Sequence, residues 1–292
     1  MISIRPPALR RSWLFVGGVD KEALSSASVS GADVLIQEFE DFTPPQLRPD
    51  ARLLSGDLIA GWKQAGAVAA VRVNPLAGDG RDDLAAVMKA APHVVLLPKV
   101  AGPEHIVELD HAITAHEQEF GLASGSTEIV PNVESALGLR NTFDICRASA
   151  RVTGCLVASE DMAADLGAER SQAGDELQYI RARFLAECVA ADIPAIDYPY
   201  TWTDEAGLIA ETGKARQLGY KAKSLVKNEH ARLINEVLTP TDDEVEQAQK
   251  IVDAFEAAQR AGEGRVIVDG ALVETPIYAN AQRVLKRARD LK

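Results

Sequence analysis

The sequence predicts an α/β protein, a (β/α)8 TIM barrel with a C-terminal helical lid or extension. Three observations lead there. Eight short apolar runs alternate with longer amphipathic stretches, which is the arithmetic of eight strand–helix units. A doubly wound open sheet would also alternate, but with fewer strands and a glycine-rich first turn; Gly17-Gly18 is no G-x-G-x-x-G fingerprint. Beyond the eighth run the pattern changes to a capped helix, a hairpin and a last helix. The expected division is a barrel over 1–238 and an appendage over 239–292 that packs on a neighbouring subunit.

The strands are expected at 13–16, 33–37, 68–73, 94–97, 128–133, 155–159, 195–198 and 224–226, each short, apolar and rich in branched residues. Helices are expected near 22–30, 50–65, 81–91, 103–120, 135–148, 172–191 and 204–218. Ala and Leu recur there every three or four residues, with charges on the other face. In the tail, Thr241-Asp-Asp-Glu244 is a capping box that starts an Ala-rich helix, stopped by Gly262 and Gly264. The run 265–274 reads as a hairpin about Asp269-Gly270, and a final helix covers roughly 277–290.

Composition bounds the function. A chain of 292 residues with 47% hydrophobic content can bury a full core. Forty-three acidic against 31 basic residues give a net charge of −12, which argues against nucleic-acid binding and reads as ordinary solubility. The three cysteines, Cys146, Cys155 and Cys188, fit neither a disulfide framework nor a zinc spacing, and Cys155 reads as a small core hydrophobe. No signal peptide and no run of about 18 apolar residues is present, so a cytoplasmic protein with no membrane partner is expected.

In a barrel, chemistry sits at the C-terminal ends of the strands. Strand two leads into Glu38-Phe39-Glu40-Asp41, strand three into Arg72-Val73-Asn74, and strand four into Lys99. Strand five gives Glu134, strand six Glu160-Asp161, strand seven Asp197 and strand eight Lys227. Glu134 and Asp161 stand out, because two carboxylates on one rim repel unless a cation lies between them. Hard oxygen ligands favour Mg2+ or Mn2+. Glu38 and Glu40 read either as site acids or as structural partners of Lys or Arg under the barrel mouth. Lys99 and Lys227 read either as site cations or as charges where the chain leaves the core. Asp165 and Arg170 are expected to cap and pair around the next helix. Trp13 and Trp62 read as core or interface residues. His105, His111 and His116 share one helix at spacings that suit no ligand pair.

Five segments carry a resemblance: 9–16 (Leu-Arg-Arg-Ser-Trp-Leu-Phe-Val), Glu38-Phe-Glu-Asp41, Val71-Arg-Val-Asn74, Pro131-Asn-Val-Glu-Ser-Ala-Leu-Gly138 and Ser159-Glu-Asp-Met-Ala-Ala-Asp-Leu-Gly167. In order and spacing they resemble the citrate lyase β-subunit-like family, which includes malyl-CoA lyases and related aldolases, over about residues 9–276. The resemblance implies a (β/α)8 barrel, Mg2+ and reversible carbon–carbon cleavage of a small 3-hydroxyacyl-CoA thioester to an acyl-CoA and a 2-oxo acid. It implies Glu134 and Asp161 as metal ligands, Glu134 also meeting substrate, and Arg72 on a substrate oxygen. It implies Glu40 and Asp41 holding metal-bound waters or orienting Arg72, and Arg11 near the mouth, where the family binds coenzyme A phosphates. A lid acid from a neighbouring subunit, here Glu274, would complete the site in a homotrimer or hexamer. Glu38 and Glu274 stand where the family usually has Asp, and Lys227-Asn-Glu-His230 where it usually has His-Pro-Ser-Gln. Alternative activities on the same metal site are thioester hydrolysis and aldol cleavage of a 2-oxo acid without coenzyme A. A non-catalytic subunit of a larger complex is the reading from another class.

Overall fold

The computed structural model describes residues 4–292. Eight parallel strands close a barrel in sequence order, β8 pairing with β1. They are β1 (Ser12–Gly17), β2 (Val34–Glu38), β3 (Val68–Arg72), β4 (Val94–Leu97), β5 (Glu128–Val133), β6 (Cys155–Val157), β7 (Ala195–Asp197) and β8 (Ala222–Leu225). Alternate residues face the interior, where Trp13, Phe15, Ile36, Leu96, Val130 and Leu156 form one buried cluster. The other face of each strand packs under helices, so the strands read as nearly continuous apolar runs.

The barrel helices are α1 (Lys21–Ala27), α2 (Arg48–Gln64), α3 (Gly80–Val87), α4 (Pro103–Glu119), α5 (Ala136–Arg140), α6 (Thr142–Arg147), α7 (Glu160–Leu166), α8 (Gln178–Ala190), α9 (Glu205–Leu218) and α10 (His230–Val237). The helix expected over 135–148 is two, broken at Asn141, whose side chain donates to the Ala101 carbonyl at 2.8 Å instead of continuing the helical surface. The helix α10 has no counterpart in the sequence-based assignment. Strand eight starts two residues earlier than expected because buried Lys223 interrupts its apolar run. Trp13 and Trp62 both belong to the core.

Residues fall into two compact units, Met1–Asn235 and Glu236–Lys292. In the second, α11 (Asp242–Arg260) starts at the capping box: Glu244 N–H donates to Thr241 Oγ1 at 3.2 Å, and Thr241 N–H to Glu244 Oε2 at 2.8 Å. The hairpin of β9 (Val266–Val268) and β10 (Ala271–Val273) turns at Asp269-Gly270, both with positive φ, the tight turn that Asp-Gly favours. Phe255 stacks on Tyr278 of α12 (Thr275–Asp290) at 4.7 Å and anchors a small core with Val268 and Val273. Among the described residues no helix is long and apolar enough to cross a membrane.

Candidate active site

The parallel register of β2 and β3 sets Glu38 beside Arg72 at the C-terminal ends of both strands. Arg72 Nε donates to Glu38 Oε1 at 2.9 Å, and its Nη1 lies 3.4 Å from Glu40 Oε2. The guanidinium sits 5.0 Å from the Phe15 ring centre and 5.7 Å from that of Phe42. Burial works against this cation, but the carboxylates of Glu38, Glu40 and Glu134 outweigh it and Arg72 stays above its ordinary range. Glu38 also accepts the Glu40 N–H at 2.5 Å and the Phe42 N–H at 2.7 Å. With all its exposure lost and both oxygens engaged, Glu38 acts as a clamp that fixes the fork of Arg72.

Glu40 is also buried, and Lys99 Nζ meets its Oε1 at 2.5 Å. Lys99 takes a left-handed backbone (φ 55°), a strained conformation for a side-chain-bearing residue. Burial pushes the Glu40 carboxyl up, Arg72 and Lys99 pull it down, and the rise prevails. Asp41 is exposed beside it.

Glu134 follows β5 on the inward face shared with Val130 and Asn132. It is 3% exposed, and neither oxygen has a well-formed hydrogen bond among the described residues, although the Lys99 backbone amide approaches. Burial pushes its carboxyl up to about 8; Arg72 opposes the rise, while the charges of Glu40 and Asp161 add to it. Asp161, half-buried in the first turn of α7, is therefore electrostatically in touch with Glu134. The supports of these two acids are braced together. Ser135 Oγ accepts from Gly138 N–H at 3.1 Å at the start of α5, and Asp165 of α7 accepts the Ala136 N–H at 2.7 Å. Arg170 pairs with Glu160 and Glu176, as expected of a residue next to the helix.

Ionising an acid this buried, with no well-formed hydrogen bond to its oxygens and with a second acid acting on it, is costly, and a cation would relieve that cost. The donors are hard oxygens, so Glu134 and Asp161 fit Mg2+ or Mn2+.

Not every expected residue comes to this rim. Arg11 precedes β1 and so lies at the opposite, N-terminal end of the barrel wall. There its backbone N–H and Nε donate to Asp33 Oδ2 at 2.7 and 3.0 Å. The expectation that Arg11 stands near the mouth is corrected by this placement: a residue just ahead of a strand cannot share the rim with residues just past the strand ends. Asp197 points outward from β7 into a fully buried network, with Arg181 Nε at 2.8 Å and Lys223 Nζ at 2.6 Å. Glu211 joins it through Lys223 at 2.6 Å. Asp197 is thus structural. Glu274 is the exposed residue at the N-cap position of α12 in the second unit, and its side chain makes no capping hydrogen bond. A groove of about 390 Å3 between α1 and α2, lined by Leu24, Leu58 and Trp62, contains none of the site residues.

One polar residue escaped the sequence reading. Asn132, fully buried and two residues before Glu134 on the same face, has no hydrogen-bond partner for either side-chain atom among the described residues. The signal was there, an amide in the middle of an apolar strand.

The family profile "HpcH/HpaI aldolase/citrate lyase" matches residues 11–228. The citrate lyase subunit beta of Haemophilus influenzae is 35% identical over 284 residues, covering 97% of this chain and 98% of the relative. The (3S)-malyl-CoA thioesterase of Cereibacter sphaeroides is 29% identical over 289 residues, covering 96% and 95%. A crystal structure of the protein CitE from Mycobacterium tuberculosis, in complex with magnesium, acetoacetate and coenzyme A, superposes with a TM-score of 0.77. It is 23% identical and covers 97% of this chain and 99% of that one, a likeness of fold.

Proposed function

This chain belongs to the HpcH/HpaI aldolase/citrate lyase family, and on that premise we propose that it is a Mg2+-dependent carbon–carbon lyase. Its substrate is a small 3-hydroxyacyl-CoA thioester of the malyl, citramalyl or citryl type, cleaved to or condensed from an acyl-CoA and a 2-oxo acid. The observation that carries the reading is buried Glu134, unpartnered and pushed up to about 8, facing Arg72 and influenced by Asp161.

Glu134 and Asp161 would hold the ion, which when bound supplies Lewis-acid polarisation of substrate oxygens. Arg72, always charged and pre-aimed by Glu38, stabilises oxyanion charge that develops on the substrate as the bond breaks. Glu40 holds Arg72 from its other side and ties it to Lys99. The phenyl rings of Phe15 and Phe42 flank the fork and shield it from water. Glu274 of a neighbouring subunit serves as the acid or base that exchanges the proton at the acyl carbon. That role requires a homo-oligomer, for which the proposal is a trimer or hexamer.

A second reading, thioester hydrolysis, draws on the malyl-CoA thioesterase relative. Incubating the protein with malyl-CoA, citramalyl-CoA and citryl-CoA, with Mg2+ or with chelator, separates the two. Mg2+-dependent appearance of a free 2-oxo acid with an acyl-CoA supports the lyase; free coenzyme A with an intact hydroxy acid replaces it by the hydrolase. No turnover of any thioester would refute both.

A further inference from the structure

All three cysteines of the chain meet at one place. Cys146 comes from α6, Cys155 from the outward face of β6 and Cys188 from α8, and their three Sγ atoms lie within 4.8 Å of one another. Each is free and buried, at 2% exposure or less. Cysteine is common in cores as a small hydrophobe, but that preference alone would scatter three such residues over the many buried positions of a chain this size. Convergence from elements far apart in sequence is the unusual fact.

From this convergence we infer a thiolate site for a soft, zinc-class divalent cation in the layer between barrel wall and helices. Metal–thiolate bonds of about 2.3 Å put three sulfurs bound to one ion roughly 4 Å apart, so the observed spacing needs only slight closure. The surroundings select in the same direction. No His, Asp or Glu joins the three sulfurs among the described residues, and a dry all-sulfur set prefers soft ions to Mg2+. The thiols also influence one another. Hydrogen bonds from Cys155 and Cys188 hold the Cys146 thiol below its ordinary range, while burial pushes those two up. Each thiol that joins the ion gives its proton to solvent, and no atom changes oxidation state. A divalent ion with three thiolates leaves one net negative charge, far less costly to bury than three.

The site is separate from the carboxylate pair: Cys155 opens β6, whereas Asp161 lies beyond its other end. The test uses Cd2+ as probe on the full chain, titrated natively and added during refolding, with excess Mg2+ present. A thiolate-to-metal charge-transfer band reaching one Cd2+ per chain is expected, with sulfur-only coordination by X-ray absorption. The band should persist in Glu134→Gln and lose at least tenfold in affinity in Cys146→Ala and Cys188→Ala, with Mg2+ binding retained as the sign of correct folding. Where an alanine variant fails to fold, Cys→Ser at the same position takes its place. No band under either loading condition, or a band that survives Cys146→Ala or Cys188→Ala, overturns the proposal.

Discussion

Replacing Glu134 by Gln keeps the shape of the side chain and removes its charge, and the consequences for stability can be worked through. In the metal-free chain burial lifts this carboxyl from the ordinary 4.5 to about 8. The folded protein then holds a proton that the unfolded chain has released, so stability falls as pH rises between those two values. The rise, 8 − 4.5, converts at about 1.36 kcal/mol per pH unit to roughly 5 kcal/mol, with little screening at a group 3% exposed. Glu134→Gln has no such proton, so its stability should be level across the same window. In chelator the two proteins should unfold alike near pH 5, and the variant should be more stable by several kcal/mol near pH 9. Mg2+ should narrow the gap at high pH: an ion at about a hundredfold over its Kd adds roughly 2.7 kcal/mol to a protein that binds it, offsetting about half of the difference, and adds little to one that does not. Urea unfolding at three pH values, with chelator and with Mg2+, measures all of this. Parallel pH profiles for parent and variant in chelator would refute the reasoning about Glu134.

Arg72→Lys keeps a cation but loses the fork that Glu38 and Glu40 hold, so kcat should fall at least a hundredfold while Mg2+ affinity, read by calorimetry, changes little. Asn132→Leu removes an unpartnered buried amide and should raise unfolding stability by about 1 kcal/mol; a thermal melt checks it, and loss of stability would show that the amide is satisfied in solution. Asp197→Asn breaks the buried network around Arg181 and Lys223 and should cost about 3–5 kcal/mol in the same melts, without altering Mg2+ binding. Mixing Glu274→Ala subunits with Arg72→Ala subunits should recover part of the activity, because hetero-oligomers then contain some intact sites; recovery from no mixture would exclude a shared lid acid.

The barrel was legible because the strands are buried on both faces and β2 to β8 each end in a charged residue or run into one within three positions. Period and punctuation therefore marked all eight, and Arg72, Glu40 and Glu134 could be placed by counting from strand ends. Where the expectations misled, whether drawn from the resemblance or from counting, the cause was direction. Arg11 sits one residue ahead of a strand, and the same rule that sends Arg72 to the rim sends Arg11 to the opposite end. Asp197 ends its strand with the parity that faces the helices, and its partners Arg181, Glu211 and Lys223 are too scattered in sequence for any pattern to join them. The cysteines failed for the same reason: spacings of 9 and 33 residues encode no ligand motif, and only the packing of α6 and α8 over β6 brings them together. The split between the anchoring role of Glu38 and the flanking role of Glu40 depends on hydrogen bonds within one tight turn, below what residue identity can express.

The most direct test of the site is a calorimetric Mg2+ titration of the parent beside Glu134→Gln and Asp161→Asn. One ion per chain in the parent, and at least hundredfold weaker binding in each variant, is the expected result. Undiminished affinity in both variants would contradict the assignment of these two carboxylates as the metal centre.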